Sequence, residues 1–296
     1  YNDMLYQPAW LPLLEIARHT KRVRIGPAAV NPFTSHPINI AGNIALIDEM
    51  SKGRAYLGLV RGGWLDFLGL HPKRPITALR EAFACIRLLL QQSREPYHGQ
   101  VFSLAGGEAL RWRIHRPDVP FLLGTWGPQT LNACLDQIAE IKIGGTANPR
   151  VVPTIQKVIG DVATQDRDAP AKIGIAVGAV TIVDRDGKAA RETARREAAL
   201  YLNIIARLDP TLGIEPDLLS RIHDASARYE FEQVARYISD DVLRRVAFAG
   251  TPDEVAEQAA HLFDAGVQRV EFGTPHGLSS AEGLRLLGEF VLPALR

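Results

Sequence analysis

The string Trp126-Gly127-Pro128-Gln129-Thr130 carries the best local signal for chemistry in this chain. Glycine lets a backbone approach a ligand closely. A proline at the first helical position has no N–H to leave unpaired. The free N–H groups of the next turn, aligned with the helix dipole, suit an anion such as phosphate. The same residues also describe an ordinary helix start. Comparable strings of Gly, aromatic and small polar residues recur along the chain. They are Val30-Asn31-Pro32-Phe33-Thr34-Ser35-His36, Arg61-Gly62-Gly63-Trp64-Leu65-Asp66, Gly144-Gly145-Thr146 and Gly273-Thr274-Pro275-His276-Gly277. Carboxylates are scarce among them. That favours cradling a planar, phosphorylated ligand over acid–base hydrolysis or multi-carboxylate metal binding.

Single residues add less. His36 and His276 can each reach a ligand, and each reads equally well as a capping or loop histidine. Trp64 and Trp126 either pack on a ring system or plug a cavity mouth. Cys85 and Cys134 fall on apolar helix faces, as core residues do. Two cysteines make no disulfide framework or zinc site. No His-Glu-x-x-His, phosphate-binding Gly-x-x-x-x-Gly-Lys or Gly-x-Ser-x-Gly occurs, so no metal is expected and the usual hydrolase and kinase chemistries lose support.

The elements that must position these strings alternate. Val23–Val30, Tyr56–Val60, Pro120–Thr125, Glu140–Ile143, Lys172–Val183 and Gln268–Phe272 read as strands. Helices lie between them. One is capped by Ser35 with Pro37 near its start. Another carries Leu79, Phe83, Ile86 and Leu90 on one stripe. A third opens with the capping box Thr251-Pro252-Asp253-Glu254. Residues 93–118 read as an excursion with a small hairpin near Tyr97–Leu104, and residues 209–248 as a helical insertion in a single domain of 1–296. Six β-then-α units imply a parallel sheet. No Gly-x-Gly-x-x-Gly follows the first strand, so a dinucleotide-type sheet has no support. The simplest account is a (β/α)8 TIM barrel whose first strand, first helix and second strand are absent from this sequence. The strings above then lie at the C-terminal strand ends, where barrels hold their sites.

Composition narrows the partners. Of 296 residues, 46% are hydrophobic and 23% charged, which excludes a disordered chain. With 34 basic against 33 acidic residues, net charge +1 gives no electrostatic case for nucleic acid or a membrane surface. No apolar run reaches the length of a bilayer span. The opening Tyr1-Asn2-Asp3-Met4 has no signal-peptide pattern. A cytoplasmic protein acting on a small molecule is the expectation.

Several strings together resemble the luciferase-like monooxygenase family. They are Thr20-Lys21-Arg22-Val23-Arg24-Ile25-Gly26, Ile47-Asp48-Glu49-Met50-Ser51-Lys52-Gly53-Arg54, Ala249-Gly250-Thr251-Pro252-Asp253-Glu254-Val255 and Phe272-Gly273-Thr274-Pro275-His276-Gly277. The last looks most like the branch of coenzyme F420-dependent methylenetetrahydromethanopterin reductases. The resemblance implies a bacterial luciferase-like TIM barrel, a homodimer, and F420, or alternatively FMN, held at the barrel mouth for hydride exchange with an organic substrate. An FMN-dependent monooxygenase, or a flavin-binding barrel without turnover, is the alternative activity. The resemblance also implies a non-prolyl cis peptide, matching Ala29-Val30, followed by Asn31. It implies cofactor contacts at Gly62, Asp66, Thr125, Trp126, Gly127, Pro128, Gln129, Gly144 and Gly145. A relative's acidic residue in the strand-four loop is matched by Gly63, a departure from the sugar-phosphate pattern.

Overall fold

The computed structural model describes residues 8–63, 65–163 and 173–296. The opening residues Tyr1–Met4, Trp64 and Lys172 lie outside the described residues. The chain divides into two compact units, Tyr1–Lys142 with Ile159–Ile173, and Ile143–Val158 with Gly174–Arg296.

In the first unit run α1 (Trp10–His19), α2 (Pro37–Ser51), β1 (Leu57–Val60), α3 (Pro75–Leu90), the arms β2 (Tyr97–His98) and β3 (Ser103–Leu104), β4 (Phe121–Gly124) and α4 (Pro128–Cys134). β5 (Glu140–Gly144) starts there. β1, β4 and β5 pair in parallel, with Leu59, Leu123 and Ile141 in one register row. Their short apolar runs are what a sheet covered on both faces requires. The stripe Leu79, Phe83, Ile86 and Leu90 of α3 is buried, and Phe83 stacks on Phe121 at 5.2 Å. Cys85 and Cys134 are core residues, and burial pushes their thiols up to about 11 and about 12. The hairpin β2–β3 is antiparallel. It is tied to α3 by Glu81, whose carboxylate accepts from the N–H groups of Gln100, Val101 and Phe102 at 2.7–2.8 Å.

Two local expectations are corrected in this unit. The cap of α2 is His36, not Ser35: Pro37 takes the first helical position, so the cap falls on the residue before it. The expected strand 23–30 is reduced to two parallel bridges, Ile25↔Ala55 just before β1 and Val30↔Leu59 within it. The hydrogen bonds explain why. The partner backbone advances two residues at a time, through Arg54, Tyr56, Gly58 and Val60. The facing backbone uses Ile25, Pro27 and then Val30. The step from Pro27 to Val30 holds one extra residue, so the ladder bulges at Ala28–Ala29.

The rest of the chain carries α5 (Val152–Ala163), β6 (Gly174–Val183), α6 (Gly187–Leu208), α7 (Pro216–Ala227), α8 (Phe231–Arg236), α9 (Asp240–Val246), β7 (Ala247–Gly250), α10 (Pro252–Asp264), β8 (Arg269–His276), α11 (Ser280–Leu286) and α12 (Leu292–Ala294). In the second unit β6 pairs in parallel with both β7 and β8. β7 is a strand that the sequence reading put at the end of a helical insertion. It is four residues long and wholly buried, Ala247-Phe248-Ala249-Gly250, too short for a periodic signal. The capping box at Thr251 and Glu254 is formed in both directions. Among the described residues no helix is long and apolar enough to cross a membrane.

Candidate functional site

The bulge is the first feature of the site. Ala29, Val30 and Asn31 are buried behind it. The Asn31 Oδ1 accepts from the N–H groups of Phe33 and Thr34, both at 3.0 Å, and from the Thr34 hydroxyl at 3.2 Å. Asn31 therefore closes its own turn, as asparagine does at strand ends. Gly62, on the segment after β1, has φ +93°, a conformation that side chains disfavour. A Cβ there would sit 3.4 Å from the Asn31 side chain. The cis peptide expected between Ala29 and Val30 lies one bond earlier, between Ala28 and Ala29. Val30 is held on both sides of its residue by β1, its N–H donating to Gly58 and its carbonyl accepting from Val60. The irregular bond accordingly falls before it. Asp66 follows Gly62 by four residues. It opens an exposed turn, its side chain is 92% exposed, and it pairs with His71 at 3.1 Å.

The second feature follows β4. The Thr125 Oγ1 accepts the Gly127 N–H at 3.0 Å, which fixes the turn before α4. Gly127 caps α4 with φ −88° and ψ 124°, allowed for any residue. A Cβ there would meet only the hydroxyls of Thr125 and Thr130, each at 3.6 Å. The fold itself therefore does not demand glycine at 127. Trp126 is half-buried, whereas Pro128 and Gln129 are exposed.

The third feature escaped the sequence reading. Lys142, half-buried in β5, donates from Nζ to the Ala28 carbonyl at 2.7 Å. Its own carbonyl accepts the Thr125 N–H at 3.2 Å. One residue thus holds both the bulge and the turn after β4. From the 25–30 segment to β5 is three strand spacings, roughly 14 Å on a flat sheet. A lysine stem reaches only about 6 Å. The strands of this unit must therefore curl, with Lys142 on the concave side. The available signal was a lysine set between two isoleucines in a strand covered on both faces, where a charge requires a partner.

Other candidates resolve differently. His36 caps α2 by accepting the Ile38 N–H at Nδ1, 3.3 Å away, and its ring meets Phe102 edge-on at 5.5 Å. In the second unit, Gly144 ends β5 and Gly145 follows with φ +84°. A Cβ on Gly145 would fall 2.4 Å from the Cδ1 of Ile205 on α6, so packing and backbone conformation both demand glycine there. His276 ends β8 after the cis Thr274–Pro275 bond, with φ +82°. Burial lowers its pKa, opposed by hydrogen bonds to the Phe272 and Pro275 backbone, so its ring is biased to the neutral form. Among the described residues no cluster of three His, Cys, Asp or Glu could hold a metal ion.

Comparison with known proteins supplies the family. The model of the luciferase-like monooxygenase family matches residues 3–269. The 5,10-methylenetetrahydromethanopterin reductase of Archaeoglobus fulgidus is 26% identical over 291 residues, 95% of this chain and 86% of the relative. The F420-dependent glucose-6-phosphate dehydrogenase of Amycolatopsis mediterranei is 27% identical over 311 residues, 97% of this chain and 83% of the relative. The solved coenzyme F420-dependent tetrahydromethanopterin reductase from Methanopyrus kandleri superposes with a TM-score of 0.86 at 24% identity, covering 100% of this chain and 90% of that one. The α/β architecture of parallel strands and covering helices is thus the fold of the TIM-barrel enzymes of that type. The match over residues 3–269 makes this chain a member of the luciferase-like monooxygenase family.

Proposed function

We propose that this chain is an F420-dependent oxidoreductase that moves hydride between a deazaflavin and a small organic substrate. One observation carries the reading. F420 dependence is common to a reductase and a dehydrogenase that act on different substrates, and both match nearly the whole chain. What two such enzymes share is the cofactor, so the cofactor transfers and the substrate does not.

The residues of the first unit fit such a group. Gly127 leaves open the volume a side chain would fill, although neither φ nor packing asks for glycine. The residues proposed to hold F420 in this unit are Ala29, Val30 and Asn31 at the bulge, Gly62, and Thr125, Trp126, Gly127, Pro128 and Gln129 after β4. Asp66, on the exposed turn that follows, is proposed as a further polar contact. Bound F420 would supply the hydride-carrying carbon of its ring. The chain's part is positional. The bulge gives the ring a firm apolar support at Ala29 and Val30. The Thr125–Gly127 hydrogen bond holds the turn open for the phosphate-bearing tail. Gly145 needs no cofactor role, because Ile205 explains it.

Titration of the purified protein with F420 and with FMN, followed by fluorescence, tests the reading. We expect saturable F420 binding and FMN weaker by about 100-fold or more, a difference of about 2.7 kcal/mol. Tight FMN binding without F420 binding overturns it in favour of a flavin monooxygenase. The family resemblance also supports a homodimer working in the cytoplasm. Sedimentation velocity at micromolar concentration checks the first of these.

A further inference from the structure

We propose that Lys142 is the positioning residue of the candidate cofactor site, clamping the Ala28–Ala29 bulge through its ammonium and the Thr125 turn through its carbonyl. The inference rests on the functional reading above for what the bulge supports, but its geometry stands apart from that reading. The Ala28 carbonyl has no place in the ladder, because β1 is engaged by Pro27 and Val30 on either side. Its hydrogen bond comes instead from Lys142, three strands away, at 2.7 Å. Gly58 makes room for this arrangement. A Cβ there would lie 2.5 Å from the Pro27 carbonyl and 3.2 Å from the Ala28 Cα. A hydrogen bond from a charged donor is stronger than a neutral one and fixes its acceptor more firmly. The bulge is therefore held from both faces, by β1 along its edge and by Lys142 from the concave side. The same lysine's carbonyl sets Thr125, whose hydroxyl sets Gly127. Backbone support for a planar ring and the turn proposed for its phosphate tail thus share one anchor.

The test compares wild type with Lys142→Met, which keeps the stem and removes the donor, and Lys142→Arg, which keeps a charged donor. Hydrogen–deuterium exchange of the unloaded protein reads the clamp, and fluorescence titration reads F420 affinity. In Lys142→Met, exchange in peptides covering residues 26–34 should rise about tenfold or more, while α3 peptides stay unchanged. The Kd for F420 should rise about tenfold. In Lys142→Arg both should return to within about threefold of wild type. If Lys142→Met does not fold, Lys142→Gln, one bond shorter but still a donor, is read the same way and should loosen the same peptides. Unchanged exchange at 26–34 in a folded Lys142→Met overturns the proposal, as does an arginine variant no better than methionine. Wild type that binds no F420 while exchange still depends on Lys142 overturns the functional reading and leaves the clamp standing. Altered exchange with unchanged F420 affinity shows that the clamp serves the fold alone and overturns its role at the site.

Discussion

The two ends of the parallel strands in the first unit use polar residues in opposite ways. At the N-terminal end, Asp48 is buried and both its oxygens are engaged. Arg116 donates to Oδ1 at 2.7 Å and to Oδ2 at 3.4 Å, and the Ala55 N–H donates to Oδ1 at 3.1 Å. Beside it Arg54 donates to the carbonyls of Ala17, Thr20 and Ser51 at 2.7–3.1 Å, stitching the C-termini of α1 and α2 to β1. Asp48, Arg54 and Arg116 thus all have protein partners. At the C-terminal end, hydrogen bonds are spent on shaping backbone. Asn31 closes a turn, Thr125 holds Gly127, and Lys142 holds Ala28. The volume beside Gly127 stays open. The lesson is that one of the strings that carry the family resemblance, Ile47 to Arg54, forms a structural clasp. The opposite end, where the ligand is proposed to sit, carries no such clasp, in keeping with the division of labour in such barrels.

The largest effect should come from cutting the clasp. Asp48→Ala leaves the buried Ala55 N–H without its acceptor and the Arg116 guanidinium without its carboxylate, with the Ala55 carbonyl as its remaining partner. Breaking such a pair costs about 3–5 kcal/mol. Urea denaturation should show that loss, while the fraction still folded at low temperature binds F420 as wild type does. A stability change within about 0.5 kcal/mol would break the contrast between the two ends.

The mirror experiment sits at the other end. Gly127→Asp places a carboxylate at a helix N-terminus, which by itself is mildly stabilising. It also puts charge and bulk into the open volume proposed for the phosphate-bearing tail. Unit charges about 4 Å apart repel by roughly 4 kcal/mol at an effective dielectric near 20, so F420 affinity should fall about 100-fold or more. The Tm should hold. Unchanged affinity in a folded variant would put the phosphate elsewhere.

A third region, the joint between α3 and the hairpin β2–β3, separates the two kinds of effect. Burial works against ionising Glu81, yet the N–H groups of Phe102, Gln100 and Val101, with Arg74 nearby, hold its carboxyl below the usual range. A group whose pKa is depressed by folding stabilises the native state above its unfolded value. That contribution is lost as pH falls through the folded value. Glu81→Gln should therefore cost about 1–2 kcal/mol at neutral pH. The gap between variant and wild type should begin to close below about pH 4.3, where unfolded glutamate titrates. Chemical denaturation across pH 3–7 checks both, and F420 affinity at pH 7 should not move. A gap independent of pH would mean that the three N–H groups do not depend on the charge.

How much of this was legible beforehand follows the physics of each signal. Strands such as Phe121–Gly124 and Gly174–Val183 announce themselves as apolar runs bounded by turn residues, and α3 by its stripe. β7 does not, because four residues, all buried, carry no period. Asn31, Gly62 and Thr125 were legible as strand-end residues, but their hydrogen bonds were not. The expected cis peptide lies one bond earlier than Ala29-Val30 because a ladder's register is set by partners distant in sequence. Lys142 was invisible for the same reason: its role exists only once curling brings Ala28 within reach. Gly127 and Gly145 looked alike in sequence. Only φ and the space around each Cβ separate a glycine the fold demands from one it merely permits.

That separation gives the smallest and most discriminating prediction, Gly127→Ala. In the extended conformation at 127, replacing glycine by alanine narrows the unfolded ensemble and stabilises by about 0.4–1 kcal/mol. Against this, alanine is a poorer helix cap than glycine by roughly 0.5–1 kcal/mol. The Cβ itself meets nothing closer than 3.6 Å. The two effects nearly cancel, so stability should stay within about 0.5 kcal/mol of wild type. F420 affinity should nevertheless fall measurably, by about threefold to tenfold, because one methyl group enters the volume proposed for the ligand. A destabilised Gly127→Ala would mean that the fold does demand glycine there, removing the contrast with the saturated end of the strands. A stable variant with unaltered affinity would leave the open volume at Gly127 in place and take the cofactor out of it.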